Sequence, residues 1–365
     1  MKSLGAPDLL LAGDVGGTKT ILTALLPNAR PNGRHVHTVA GLVAEATFES
    51  RRYDTLETIL DEFLGSPALK AHRGRVTRAS FSVAGPVADG RAHLTNLGWT
   101  LDADRMRGAF DLASVDLVND LQATAYAVPR LPDDCLCTLQ EGEGEAGEKP
   151  RAVIAPGTGL GEAFLIWDGV QWEALPSEGG NADFAPNSEL QLDLLRFLRP
   201  RLGHVSYELV CSGVGLPNVY YFLKETGAAP EPPWLAERIE ASSDPTRVIV
   251  AAALGTEDSE PSPLCEATLA LFVEILAGEA GNMALRLLAS GGVYLGGGIP
   301  PRILPLLRHP RFVTAFRDKG RFASLMATFP VHVILEPRAA LLGAVHYALA
   351  RPSPHVEMPS GELPE

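Results

Sequence analysis

The chain has 365 residues, a length that points to two domains rather than one. Its composition, 46% hydrophobic and 21% charged, supplies apolar material for two cores. A formal net charge of −13, with no Lys/Arg run longer than two residues, argues against a nucleic-acid partner; a small anionic ligand stays open, because backbone N–H groups bind phosphate without net positive charge.

Residues 9–25, LLLAGDVGGTKTILTAL, read as a strand, a tight turn and a second strand. The apolar stretch before Asp14 is too short and too acidic in its flanks for a signal peptide, and no run is long enough to span a bilayer. A cytoplasmic protein with no membrane partner is expected. A turn follows at 27–33, a third strand lies within 36–48, and apolar residues at helical spacing (Leu56, Ile59, Leu60, Phe63) predict a helix over 53–64. Residues 78–84 form a buried strand that stops at Gly85-Pro86. A short strand at 116–118 ends at Asn119-Asp120, and a helix follows over 121–128. This alternation of strands and helices defines an α/β fold.

Cys135, Cys137, Cys211 and Cys265 form neither a disulfide framework nor a complete metal site; they read as thiols in a reducing compartment. Residues 141–150 are an acidic, glycine-rich loop. After it, RAVIAPGTGLGEAFLIW (151–167) repeats the opening pattern of strand, small-residue turn and strand, which suggests two related halves. Helices are expected over 185–200, 246–255 and 266–289, and a proline-rich loop over 227–233. A strand over 291–299 runs into a triple-glycine turn, a last strand covers 331–335 and a last helix 339–350. Residues 352–365, rich in proline, read as a disordered tail.

Three glycine turns, at 13–18, 157–161 and 296–298, each follow an apolar run. Any one alone reads as an ordinary hairpin. Three together point to a nucleotide, since glycine lets backbone N–H groups approach a phosphate chain. Gly157-Thr158-Gly159-Leu160-Gly161 fails the dinucleotide-binding fingerprint by one residue, and Thr18-Lys19 fails the P-loop pattern. A carboxylate ahead of the first glycines, Asp14, would meet phosphates through a cation, so it implies Mg²⁺ held indirectly. Asp120, at a strand end, is a candidate base for phosphoryl transfer to an alcohol. The same aspartate is equally suited to capping the helix that follows. In PSEGGNADFAP (176–186), Glu178 and Asn181 bracket two glycines in a polar cluster suited to sugar hydroxyls, or to a solvated loop. Asn96 and Glu208 are further polar candidates.

These stretches, together with LTNLGW, GHVSYELVCSG and YLGGGIPPRI, occur in one order over about residues 9–350 and resemble the bacterial glucokinases of the hexokinase-like, actin-fold superfamily. The resemblance implies two actin-like (ribonuclease H-like) α/β domains with a cleft between them. The small domain would be residues 1–120 completed by the helix 339–350, and the large one 121–338. It implies ATP and Mg²⁺ as cofactors and D-glucose as substrate, converted to glucose 6-phosphate and ADP for glycolysis. Asp120 would be the base that takes the 6-hydroxyl proton. Asn96, Asn119, Asp120, Glu178, Asn181 and Glu208 fall at glucose-contacting positions. Asp14, Gly16, Gly17, Thr18, Lys19, Gly157, Thr158 and Gly159 fall on the phosphate motifs, and Gly297 and Gly298 on the adenosine motif. The family is often dimeric, so a homodimer is a possible assembly.

One departure concerns the sugar. The family has His where this chain has Asn181, and the loss or weakening of one hydroxyl contact is worth about 1 kcal/mol. Two alternatives follow: a kinase of another hexose or of a broader range, and a non-catalytic sugar-binding regulator of the same fold. The cysteine-rich zinc motif of the repressor and sugar kinase branch is not present in the sequence.

Overall fold

The computed structural model describes residues 8–26, 41–143, 147–256 and 259–351. The expected turn at 27–33, the start of the third strand and the 352–365 tail lie outside the described residues. The chain splits into two compact units. One runs to Pro132 and resumes at Arg338; the other is Asp133–Pro337.

The first unit is built on β1 (Leu9–Val15), β2 (Lys19–Leu25), β3 (Leu42–Glu49), β4 (Val76–Val83), a small antiparallel sheet of β5 (Val87–Ala88), β6 (Arg91–Leu94) and β7 (Trp99–Asp102), and β8 (Ser114–Asn119). The main sheet has the order β3-β2-β1-β4-β8. β1 and β2 form the predicted hairpin, and β4 and β8 join it in parallel. One face buries Leu9, Leu11, Leu22, Phe81 and Val83 under helix α1 (Leu56–Leu64), whose own buried residues include the predicted Leu56, Ile59, Leu60 and Phe63. α2 (Ala103–Ala109) starts at Asp102, whose side chain accepts from the Arg105 N–H. The other face packs Leu10, Ala12, Ile21 and Leu25 on Leu341, Val345 and Ala348 of the C-terminal helix, Ala339–Ala350.

The sequence-based boundary at residue 120 differs from this division. Helix α3 (Asp120–Ala127) stays with the first unit because it seats on the C-terminal helix. Tyr126 meets Tyr347 edge to face at 5.1 Å. Gly343 lies so close to the Ala123 carbonyl that a Cβ would collide with backbone.

The second unit repeats the plan. Its sheet, β12-β11-β10-β13-β14-β9, comprises β9 (Leu136–Gln140), β10 (Arg151–Pro156), β11 (Leu160–Trp167), β12 (Trp172–Ser177), β13 (Val293–Leu295) and β14 (Val331–Ile334). Again three strands form an antiparallel meander, and two more join the first of them in parallel. The helices are α4 (Glu189–Leu202), α5 (Leu216–Glu225), α6 (Pro233–Ala241), α7 (Pro245–Leu254), α8 (Pro263–Leu287), α9 (Leu304–Leu307), α10 (Pro310–Arg317) and α11 (Ala323–Met326). α8 is apolar around most of its circumference and forms the buried axis of this core. The helix expected from 185 starts at Glu189, because Ser188 caps it by accepting from the Gln191 N–H. No helix among the described residues is long and apolar enough to cross a membrane.

Candidate active site

In the first unit, sheet register assembles the site. β1, β4 and β8 are parallel, so their C-terminal ends share one edge, the position where open α/β sheets bind ligands. Asp14 lies beside Ser82, and Asn119 beside Val83. The Ser82 hydroxyl donates to Asp14 Oδ1 at 3.1 Å. Burial pushes the Asp14 carboxyl up, opposed by the Ser82 hydrogen bond and by the charge of Lys19.

The glycine turn after Asp14 is held open by its neighbours. The Gly16 N–H donates to Lys19 O, and the Ser50 hydroxyl donates to Gly16 O at 2.8 Å. A Cβ on Gly17 would press on Asn96, so this glycine lets the turn approach the exposed Asn96. Thr18 and Lys19 are exposed at the tip.

Asn119, rather than Asp120, is the N-cap of α3. Its Oδ1 accepts from the Leu121 and Gln122 N–H groups, and its amide donates to Gly85 O at 3.0 Å. Asp120 is the first helical residue and half-buried; its Oδ1 accepts from the Leu121 N–H at 2.9 Å. With the capping position filled by Asn119, the Asp120 carboxylate is left for other work. Burial raises its pKa to about 6, against the Leu121 hydrogen bond, and the nearby Asp14 charge adds to the rise. A base poised near the working pH suits proton abstraction.

In the second unit the same edge carries the other two glycine turns. Gly157–Gly159 follow β10 and Gly296–Gly298 follow its parallel neighbour β13. Gly297 has φ +79°, and a Cβ there would strike Pro156 O. The Gly157 N–H donates to Gly159 O, while Gly213 and Val214 donate to Gly157 O and Thr158 O. Thr158 is exposed and Gly298 opens to free space. Glu208 reaches this turn. Its Oε2 accepts from the Leu160 N–H at 2.9 Å, and a Cβ at 159 would displace this carboxylate. Its own N–H donates to Gly180 O at 2.8 Å. Glu208 thus ties the Gly157–Gly159 turn to the Glu178–Asn181 turn. Glu178 and Asn181 are exposed above that turn, and Gly180 is pressed against the Leu160 carbonyl.

The structure brings Asp14, Gly16, Gly17, Asn96, Asn119 and Asp120 to one edge of the first unit, and Gly157–Gly159, Glu178–Asn181, Glu208 and Gly297–Gly298 to one region of the second. Sequence reasoning missed Ser50 and Ser82, small hydroxyl residues with no distinguishing motif, and Glu162, a carboxylate inside an apolar strand. No cluster of three His, Cys, Asp or Glu side chains among the described residues could hold a metal ion directly. Asp14 is a carboxylate that would suit an indirect contact to Mg²⁺ carried on a nucleotide's phosphates.

Two sheets that share one five-strand order, the second extended by the antiparallel β9, have the plan of an actin-like fold of the sugar-kinase type. Solved structures agree. A glucokinase from an Antarctic psychrotroph is 29% identical with a TM-score of 0.77, covering 94% of this chain and 99% of that one. A ROK family glucokinase from Streptomyces griseus, in complex with glucose and AMPPNP, shares the fold at 20% identity and TM-score 0.56, covering 93% and 98%. The family model named Glucokinase matches residues 11–351. The glucokinase of Trichormus variabilis is 39% identical over 348 residues, covering 92% of this chain and 97% of the relative. That of Synechocystis sp. is 36% identical over 352 residues, covering 92% and 96%. The chain belongs to the glucokinase family.

Proposed function

We propose that the protein is an ATP-dependent glucokinase that phosphorylates the 6-hydroxyl of D-glucose, giving glucose 6-phosphate and ADP. The observation that carries the assignment is Asp120. It stands at the C-terminal edge of a parallel sheet, just inside a helix whose N-cap is Asn119, with its pKa held near 6. Its family membership supplies the substrates.

Asp120 orients the 6-hydroxyl and accepts its proton as the γ-phosphoryl group leaves ATP. Asn96 and Asn119 in the first unit, and Glu178, Asn181 and Glu208 in the second, hold sugar hydroxyls. Main-chain N–H groups of the turns at Gly16–Thr18 and Gly157–Gly159 bind phosphate oxygens, and Gly297–Gly298 leave room for the adenosine. Asp14, at the first turn, would hold Mg²⁺ indirectly through the ATP phosphates, where the ion would neutralise charge on the transferring group.

Asn181 favours a second reading of the specificity, a kinase with relaxed sugar choice, because a shorter neutral amide stands where the family has an imidazole. A coupled assay of ADP release across glucose, mannose, fructose and N-acetylglucosamine, with product identification by phosphorus NMR, tests both. Glucose 6-phosphate as the dominant product supports the assignment. Sugar-dependent binding without ADP release contradicts it and makes the protein a regulator.

A further inference from the structure

Glu162 stands where β11 passes under the Glu178–Asn181 turn. The residue is 1% exposed, and neither of its carboxyl oxygens has a hydrogen-bond partner among the described residues. It pairs across the sheet with Ser177, the residue that leads into the turn. A Cβ on Gly179 would collide with Glu162 Oε2, so the turn's main chain rests directly on this carboxyl group. The hydrogen bonds of the turn run to groups other than Glu162. The Gly179 N–H donates to Ser177 Oγ, Asn181 N–H to Glu178 O, Ala182 N–H to Gly179 O, and Glu208 N–H to Gly180 O. None of these bonds goes to Glu162.

Other charged and titratable groups face Glu162 from the elements around it. α8 presents Glu279, fully buried and paired with Arg286 at 2.6 Å. The segment before α5 presents the buried Cys211 thiol. β12 contributes only the Ser177 hydroxyl, and the turn contributes main chain.

We infer that Glu162 is a positioning residue for the sugar-binding turn: as a neutral acid it supports the turn from beneath, and on losing its proton it displaces Gly179 and with it Glu178 and Asn181. The inference rests on the assignment of that turn to glucose. A carboxylate buried without donors must recruit water or a main-chain N–H, and either route lifts the turn from β11. Burial, then the Glu279 charge, raise the Glu162 pKa to about 8, with Arg286 partly offsetting them. The change therefore falls just above neutrality. Asp120, with its ionisation near 6, is fully ionised there and does not contribute.

The test is the pH dependence of KM and kcat for glucose, from pH 6.5 to 9.5, in the wild type and in Glu162→Gln, which keeps the shape and removes the charge. If glucose binds only the neutral form, wild-type KM rises about tenfold per pH unit above the Glu162 ionisation. The variant's KM should stay within about twofold over the range, with kcat changing alike in both proteins. As a readout independent of turnover, glucose titration calorimetry at pH 9 in buffers of different ionisation enthalpy should show close to one proton taken up per glucose by the wild type and none by the variant. Superimposable KM profiles and equal proton uptake would overturn the inference while leaving the glucokinase assignment intact. No glucose binding or turnover by the wild type at any pH would overturn both.

Discussion

Asp120 in the first unit and Glu162 in the second are both carboxyl groups pushed upward by burial, yet they end in different states. Asp120 keeps hydrogen bonds to its charged form, the Leu121 N–H first among them, so its shift stops near 6 and it is ionised at neutral pH. Glu162 has no donor among the described residues and lies beneath a folded turn, so its shift carries it to about 8. Hydrogen bonds to the charged form decide between a carboxylate that can accept a proton and one that serves as a neutral support.

Among changes to the turn, the largest expected effect comes from forcing it off its support. Gly180→Ala drives a methyl into the Leu160 carbonyl, which as backbone cannot yield. Glucose affinity should fall by more than tenfold, with a stability loss on the order of 1–3 kcal/mol, measured by calorimetric titration and thermal unfolding. Near-normal affinity would mean the turn does not position the sugar groups.

Next comes Glu162→Gln, read through stability. The folded pKa of about 8 lies above the ordinary 4.5. Between those values the folded chain holds a proton that the unfolded chain has released, so stability falls as pH rises through that window. The wild type should lose on the order of 1–3 kcal/mol more than the variant between pH 5 and pH 8. Parallel unfolding curves would remove the contrast with Asp120.

A smaller effect sharpens the Asp120 side. With an ionisation near 6, kcat/KM should drop about tenfold per unit below that pH, as the base becomes protonated, in steady-state assays with ATP saturating. Activity constant down to pH 4.5 would mean that the base lies elsewhere. The smallest effect expected is in Asn181→His, a several-fold lower KM for glucose, worth about 1 kcal/mol; a raised KM would show that Asn181 already makes the better contact.

Much of this was legible in the residues. The hairpins around Asp14 and Gly157, the strand ending at Asn119, and the α1 face of Leu56, Ile59, Leu60 and Phe63 all show in local pattern, because each is set by glycine placement or by hydrophobic spacing. The domain boundary did not show. α3 reads as the start of a new region, and only the packing of Ala123 on Gly343, some two hundred residues away in sequence, assigns it to the first unit. The capping role went to Asn119 rather than Asp120, because two adjacent residues with equal capping propensity are separated only by backbone geometry at the helix start. Ser82 and Glu162 were invisible for a related reason. Their meaning lies in cross-strand register, which places Ser82 beside Asp14 and Glu162 beside Ser177.

The most direct test of the account is Asp120→Asn, with glucose binding and ATP-dependent turnover measured on the same preparation. The account predicts that glucose still binds within a few-fold of the wild type while kcat falls by about 10²–10⁴. Turnover at the wild-type rate would contradict it and reduce Asp120 to a residue of the α3 helix start.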